Sequence, residues 1–314
     1  MRIVLHIGTH KTGSTALQRF LYLNRERLLD QGWLYPRTGL KGTGHHPIAW
    51  RIRSGGADVC REMLSALEKE AREVGVQGIL LSSEAFEFIR DVKALEPFCH
   101  RDTIPLVFLR RQDGYLESEY NQHVKMPSTR YAFDIYRFYF RLDFSFRFNY
   151  RQLCDRWQKV AGDNCLHVIN YDHCLNTRRC EIFRRFLSRV GVQWRKAFVL
   201  PDDRTSNLSI PSRATIYLAR INRLNLPLEK HLQAIKAVAQ RFASDAEDSL
   251  LSLEERQLLC QRYQAGNHFV AKYYGSDPFS LPEDDGKIAG RSRVDFYEDF
   301  DRATYEDLLR SIRV

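Results

Sequence analysis

An α/β fold, with a parallel β-sheet flanked by helices, is the architecture this sequence predicts, and three observations carry it. Short apolar runs rich in Val, Ile and Leu recur at 2–7, 78–82, 105–109 and 166–169. Segments with helical apolar spacing separate them. Strands that alternate with helices imply a parallel sheet covered on both faces. The third observation is bulk: 314 residues, 44% hydrophobic and 28% charged, suit one large α/β domain with a sizeable core.

Taken in order, residues 2–7 read as a buried strand. A helix follows from about Ser14 to Asp30, with Leu17, Phe20, Leu21, Leu28 and Leu29 on one face and Gly32 as its stop. Residues 35–56 are rich in Gly and Pro and predict a long loop. A helix over Val59 to Val74 then leads to the strand Gly78 to Ser82. The strand 105–109 feeds a helix from Asp113 to Lys125, and the strand 166–169 feeds one from Thr177 to Gly191. Past Gly191 strand signals vanish: helices are expected at 211–224, 228–243 and 253–273, a polar connection at 276–300, and a last helix at 302–312. The expected organisation is one domain over 1–314, with a core at 2–192, a helical C-terminal elaboration at 193–275 and the remainder at 276–314.

The formal net charge of +9 favours anionic partners without choosing among them. Seven widely spaced cysteines with no C-x-x-C pair argue against a disulfide framework or a structural zinc site, and predict reduced thiols in a cytoplasmic setting. No stretch approaches the roughly 18–20 apolar residues that cross a bilayer. The chain opens directly on a strand, which leaves no room for a signal peptide. From Phe138 to Tyr150 aromatic and apolar residues fall on even positions. Such alternation predicts an extended, half-buried segment, either core-flanking or a substrate wall with Arg141 or Arg147 facing an anion.

The chemistry-bearing segment joins the first strand to the first helix: Gly8, Thr9, His10, Lys11, Thr12, Gly13, Ser14 and Thr15. A Gly-rich strand-to-helix turn gathers backbone N–H groups, the helix dipole adds its pull, and Lys11 with the hydroxyls of Thr12, Ser14 and Thr15 completes a phosphate site. A nucleotide triphosphatase loop places lysine after its second glycine. Here Lys11 precedes Gly13, so the charge sits on the loop. That order resembles the 5′-phosphosulfate loop of sulfotransferases that use 3′-phosphoadenosine 5′-phosphosulfate (PAPS), P-K-[ST]-G-[ST]-[ST], with His10 in place of the proline. Arg110 and Ser118, eight residues apart after the third strand, match that family's second signature.

A third likeness follows. Trp157 on a helix, a strand running into Tyr171-Asp172, and the amphipathic 180–187 resemble the family's framework, with Asp172 and Ser188 as conservative departures. The resemblance covers about residues 2–192; beyond it only 204–209, with Arg204 and Asn207, looks like a nucleotide-proximal loop of bacterial members.

The resemblance implies a P-loop-like sulfotransferase fold and in-line transfer of a sulfuryl group from PAPS, without a metal, leaving adenosine 3′,5′-bisphosphate. Lys11 would neutralise charge on the leaving phosphate, and Arg110 and Ser118 would bind the 3′-phosphate. The acceptor would be a hydroxyl or amine of a glycan, glycolipid or small metabolite. Its general base stays open among Glu84, just past a strand, and His46 or His45 in the Gly-rich loop. Two other activities share parts of the pattern. An ATP-dependent kinase would call for the G-K-[ST] order and an obvious strand-end magnesium aspartate, and the sequence offers neither. A non-catalytic binder of nucleic acid or acidic glycan would stripe its basic residues, which here are scattered.

Overall fold

A computed structural model of the chain describes residues 1–99, 102–142, 144–162, 166–175, 180–202, 210–244, 248–276, 279–282 and 293–313. The elements in order are β1 (Arg2–His6), α1 (Ser14–Leu23), α2 (Arg25–Leu29), β2 (Trp33–Leu34), α3 (His46–Glu73), β3 (Gly78–Ser82), α4 (Glu96–Cys99) and β4 (Asp102–Leu109). Then come α5 (Gln112–Lys125), α6 (Ile135–Arg141), α7 (Phe144–Phe148), α8 (Tyr150–Ala161), β5 (His167–Asn170), α9 (Tyr171–Leu175) and α10 (Glu181–Val190). Helices α11 (Ser212–Asn222), α12 (Leu228–Arg241), α13 (Leu253–Tyr273) and a last one at Arg302–Ser311 complete the chain. Among the described residues no helix is long and apolar enough to cross a membrane.

The five strands form one sheet in the order β2-β3-β1-β4-β5, and every pairing is parallel. The α/β class expected from the sequence is therefore the class observed. The apolar runs explain the sheet, because parallel strands are buried on both faces and so lack alternation. Alternate residues still sort to opposite sides. Ile3, Leu5, Ile79, Leu81 and Val107 join one apolar cluster with Leu64 and Leu67 of α3 and Trp157 of α8. Val4, Leu80, Leu106 and Phe108 join another with Leu17, Phe20 and Leu21 of α1 and Phe183 and Phe186 of α10. Phe20 and Phe183 stack there with ring centroids 4.4 Å apart.

Two compact units divide the chain. The first comprises Met1–Arg110, Asn149–Ser206 and Ala265–Phe279 and contains the sheet; the second comprises Arg111–Phe148, Asn207–Gln264 and Ser280–Val314. Within the second, α5, α6, α7, α11 and α12 share one apolar core. Asp113 lies fully buried there between Arg111 (2.7 Å) and Arg256 (2.7 Å), and the two guanidiniums hold its carboxyl down at about 2 against the opposing effect of burial. Arg111 thus serves that core.

Three local expectations are corrected. The helix expected over 14–30 is interrupted at Asn24, whose side chain bonds the backbone N–H and carbonyl of Val199 and so competes with helix continuation. The long loop over 35–56 ends early, since α3 already begins at His46. Pro47 suits a first helical turn. At Gly56 (φ 66°, ψ −152°) the backbone leaves helical geometry, so α3 is two helical segments joined at a kink, the second of them close to the helix expected from Val59. Most described residues of 138–150 fall in helices α6, α7 and α8 and not in an extended strand. Ile135 and Phe138, then Phe144 and Phe148, are buried at helical spacings of three and four, while Phe140 is 82% exposed. Tertiary packing chose the helical set over the even-numbered one. Arg147 pairs with buried Glu119 at 2.7 Å.

Candidate functional site

The site is built at the carboxyl end of β1, which lies between β3 and β4. Chain connections leave in opposite directions there, and such a switch point opens a crevice beyond the strand ends. Residues 7–13 fill the turn from β1 into α1. Three of them take left-handed backbone: Gly8 (φ 35°), Lys11 (φ 65°) and Gly13 (φ 75°). A Cβ at Gly8 would lie 2.9 Å from Ser14 Oγ and 3.3 Å from Glu84 Cα; one at Gly13 would lie 2.8 Å from Ile182. Positive φ favours glycine at both positions, and at Gly8 the close Glu84 backbone adds a spatial constraint. Lys11 has no such exemption, and its conformation costs about 1–2 kcal/mol that the surrounding bonds must hold in place.

Those bonds run through Thr9. Its hydroxyl donates to the Phe108 carbonyl on β4 (2.8 Å), while its own carbonyl accepts from Thr12 Oγ1 (2.7 Å) and Ser14 Oγ (3.4 Å). The hydroxyls of Thr12 and Ser14, expected to face a phosphate, are turned onto this buried carbonyl, which would otherwise lack a partner. Thr15 is exposed. The first bond of α1 runs from Leu17 N to the Gly13 carbonyl, so the N–H groups of Ser14, Thr15 and Ala16 have no partner within the helix. No acidic side chain occupies that first turn. Its positive end is available to an anion.

Arg110, just past β4, reaches the loop: its Nη1 donates to the Lys11 carbonyl (3.3 Å), its Nε lies 3.8 Å from Asp172, and it sits over the Tyr171 ring at 5.8 Å. Tyr150 OH donates to the Arg110 carbonyl. Asp172 and Tyr171, framework residues by sequence, are thus neighbours of the expected phosphate-binding arginine. Ser118 lies partly exposed on α5 in the second unit. Arg204 and Asn207 lie outside the described residues.

Across β3 stand the base candidates. Glu84 opens a 3-10 turn (Glu84–Phe88) capped by Ser83, and its carboxylate accepts from Gln18 Nε2 of α1 at 2.8 Å. His46 Nδ1 lies 3.9 Å from the same carboxylate and 2.8 Å from Ser83 Oγ. Burial alone would raise the Glu84 carboxyl; its own backbone N–H, His46, Gln18 and His10 outweigh that and hold it below the ordinary carboxylate value. Glu87, one turn further along the same 3-10 helix, more deeply buried and missed by sequence, pairs with His10 of the loop at 3.0 Å. Gln18 was also missed; its only signal is its place one turn into the helix that follows the loop.

His45 does not fit a base. It is fully buried; Nε2 donates to the Pro36 carbonyl (3.0 Å) and Nδ1 accepts from Ser82 N (3.2 Å), so both ring nitrogens are committed. Burial holds it down at about 4, and does the same to His6, whose Nδ1 meets Ser82 Oγ at 2.7 Å. Both values lie below the unfolded histidine value of about 6.5, so the unfolded chain takes up protons first. Above that value neither ring affects stability; from it down to about 4 stability falls, by up to about 3 kcal/mol per ring. His167 and His231, also lowered by burial, act in the same direction. Urea unfolding at pH 7.5, 6 and 5 should therefore show a steep decline before carboxylates begin to titrate. A flat profile over that range would contradict the buried neutral rings.

No family model matches the chain, and no solved structure matches it. Over 242 residues it is 25% identical to an uncharacterized protein of Archaeoglobus fulgidus, covering 74% of this chain and 62% of that protein. The chain thus spans less than two thirds of that relative's length, and the likeness brings no activity with it.

Proposed function

We propose that the protein is a PAPS-dependent sulfotransferase that transfers a sulfuryl group in line to a hydroxyl or amine of a glycan, glycolipid or small metabolite. One observation carries this: at the sheet's switch point a lysine sits on the loop between two left-handed glycines, and Arg110 is drawn onto that loop from the neighbouring strand. The loop amides and Lys11 suit the 5′-phosphosulfate. Arg110, backed by Asp172, suits the terminal 3′-phosphate as a planar donor. Sulfuryl transfer asks for positioning and charge stabilisation, which this set of groups can supply. A cytoplasmic setting belongs to the same proposal and is supported by free thiols at Cys60, Cys99, Cys154, Cys174, Cys180 and Cys260.

The direct test is acceptor-dependent release of adenosine 3′,5′-bisphosphate across panels of glycans, glycolipids and small alcohols and amines. Tight binding of ATP in preference to the bisphosphate would instead favour a kinase. Arg110→Ala should weaken binding of the bisphosphate by roughly 2–5 kcal/mol, the range for truncating one member of a charged pair. A nucleotide lacking the 3′-phosphate should lose much less. Equal losses in calorimetry would mean that Arg110 does not bind that phosphate.

A further inference from the structure

Glu87 carries a carboxyl group yet is 1% exposed. Its Oε2 lies 3.0 Å from His10 Nδ1, and its Oε1 is buried with no hydrogen-bond partner among the described residues. Burying a carboxylate this deeply is costly unless a counter-charge stands beside it. His10 is the side chain bonded to it, and His10 belongs to the anion-binding loop, between Thr9 and Lys11. The ring is still 22% exposed, and its Nε2 has no hydrogen-bond partner among the described residues. One end of the pair is therefore sealed in the core and the other opens at the loop.

We propose that His10 and Glu87 form a proton-linked anion clamp. When an anion occupies the loop, Nε2 takes a proton from solvent while Nδ1 keeps its own toward Glu87. His10 then becomes the loop's second cation, beside Lys11. This rests on the loop being an anion site and extends it from a fixed charge to one that responds to pH. Other charges face the pair from several elements. Glu84, on the same 3-10 turn, lies close enough to interact electrostatically with His10. Arg156 of α8 donates to the Glu87 backbone carbonyl (3.2 Å) and lies near enough to act on the Glu87 side chain as a fixed counter-charge. Tyr150 of the same helix also faces Glu87, and Arg53 of α3 lies over the Phe88 ring, which in turn packs against His10 at 5.1 Å. Both arginines and Lys11 hold constant charge through neutral pH, so they cannot produce the pH response. His46 stands beside Glu84 and is replaced separately in the test.

The experiment measures affinity for inorganic sulfate, whose charge is constant between pH 6 and 8.5, and for adenosine 3′,5′-bisphosphate, in wild type, His10→Asn, Glu87→Gln and His46→Asn. Asparagine keeps a donor where Nδ1 stood and removes Nε2. Wild type should bind sulfate about tenfold more tightly at pH 6 than at pH 8.5. That ratio should collapse toward one in His10→Asn and Glu87→Gln and persist in His46→Asn. An unchanged ratio in His10→Asn, a collapse confined to His46→Asn, or no sulfate binding by wild type at either pH would overturn the clamp. Because His10 is partly exposed, its variant keeps the test open even if Glu87→Gln unfolds. Sulfate binding with the expected ratio but no binding of the bisphosphate would sink the nucleotide proposal and leave the clamp standing.

Discussion

Replacing Glu84 with glutamine is expected to lower sulfuryl turnover by about 10²–10⁴-fold, the usual contribution of a general base, with nucleotide affinity nearly unchanged. Glu84 follows β3 directly and touches the loop's first glycine, where a Cβ would meet its own Cα at 3.3 Å. Gln18 and His46 hold its carboxylate from two sides. Glutamine keeps the shape and can still accept from Gln18, so the fold should survive and the lost group is the proton acceptor alone. The pH profile distinguishes this carboxylate from His46. Because Glu84 is held below the ordinary carboxylate value, a Glu84 base stays ionised as pH falls through 6 and 5, and turnover declines only below that range. A histidine base would place the acid limb near its reference value of about 6.5. Full activity in Glu84→Gln with collapse in His46→Ala would transfer the role to His46.

Lys11→Ala should cost about 10²–10³-fold in turnover, the loss typical of one preorganised charge donor to a developing anion. Lys11 occupies left-handed backbone, and alanine meets the same Cβ constraint there, so the substitution changes charge and leaves the loop's strain as it was. Its carbonyl still accepts from Arg110. Thermal melting should be close to wild type. Near-wild-type turnover in a folded Lys11→Ala protein would remove this lysine from the mechanism, and with it the loop match that motivates the sulfotransferase proposal.

The strand-to-helix loop was legible as a structural element because its glycines and lysine are contiguous. Gly8, Lys11 and Gly13 lie within six residues, and a strand before and a helix after can be recognised from local periodicity. His45 was not legible. Nothing in Gly44-His45-His46-Pro47 says that one ring is clamped between Pro36 and Ser82 while its neighbour stands beside Glu84. Adjacent histidines share composition and spacing, and differ only in which long-range partners their nitrogens meet. The aromatic run after residue 138 misled for a related reason: Phe residues at even positions also satisfy helical spacings, and only packing in the second unit's core chooses between the two.

By itself the sequence determined neither the short β2 nor helices α6 and α7, but it did determine the four longer strands, the parallel α/β class and the place of the loop between β1 and α1. These depend on apolar periodicity and on glycine's access to left-handed backbone, both of which act over a few residues. Tertiary structure alone decided which charges meet. It placed β1 between β3 and β4, which brings Glu84 and Glu87 to one side of the loop and Arg110 to the other, from positions 76 to 102 residues away from Gly8. It also turned Thr12 and Ser14 inward to Thr9 and paired Arg110 with Asp172. Electrostatic and hydrogen-bonding partners are set by distance in space, and in a parallel sheet each neighbouring strand arrives only after a crossover, so no local pattern records the pairing.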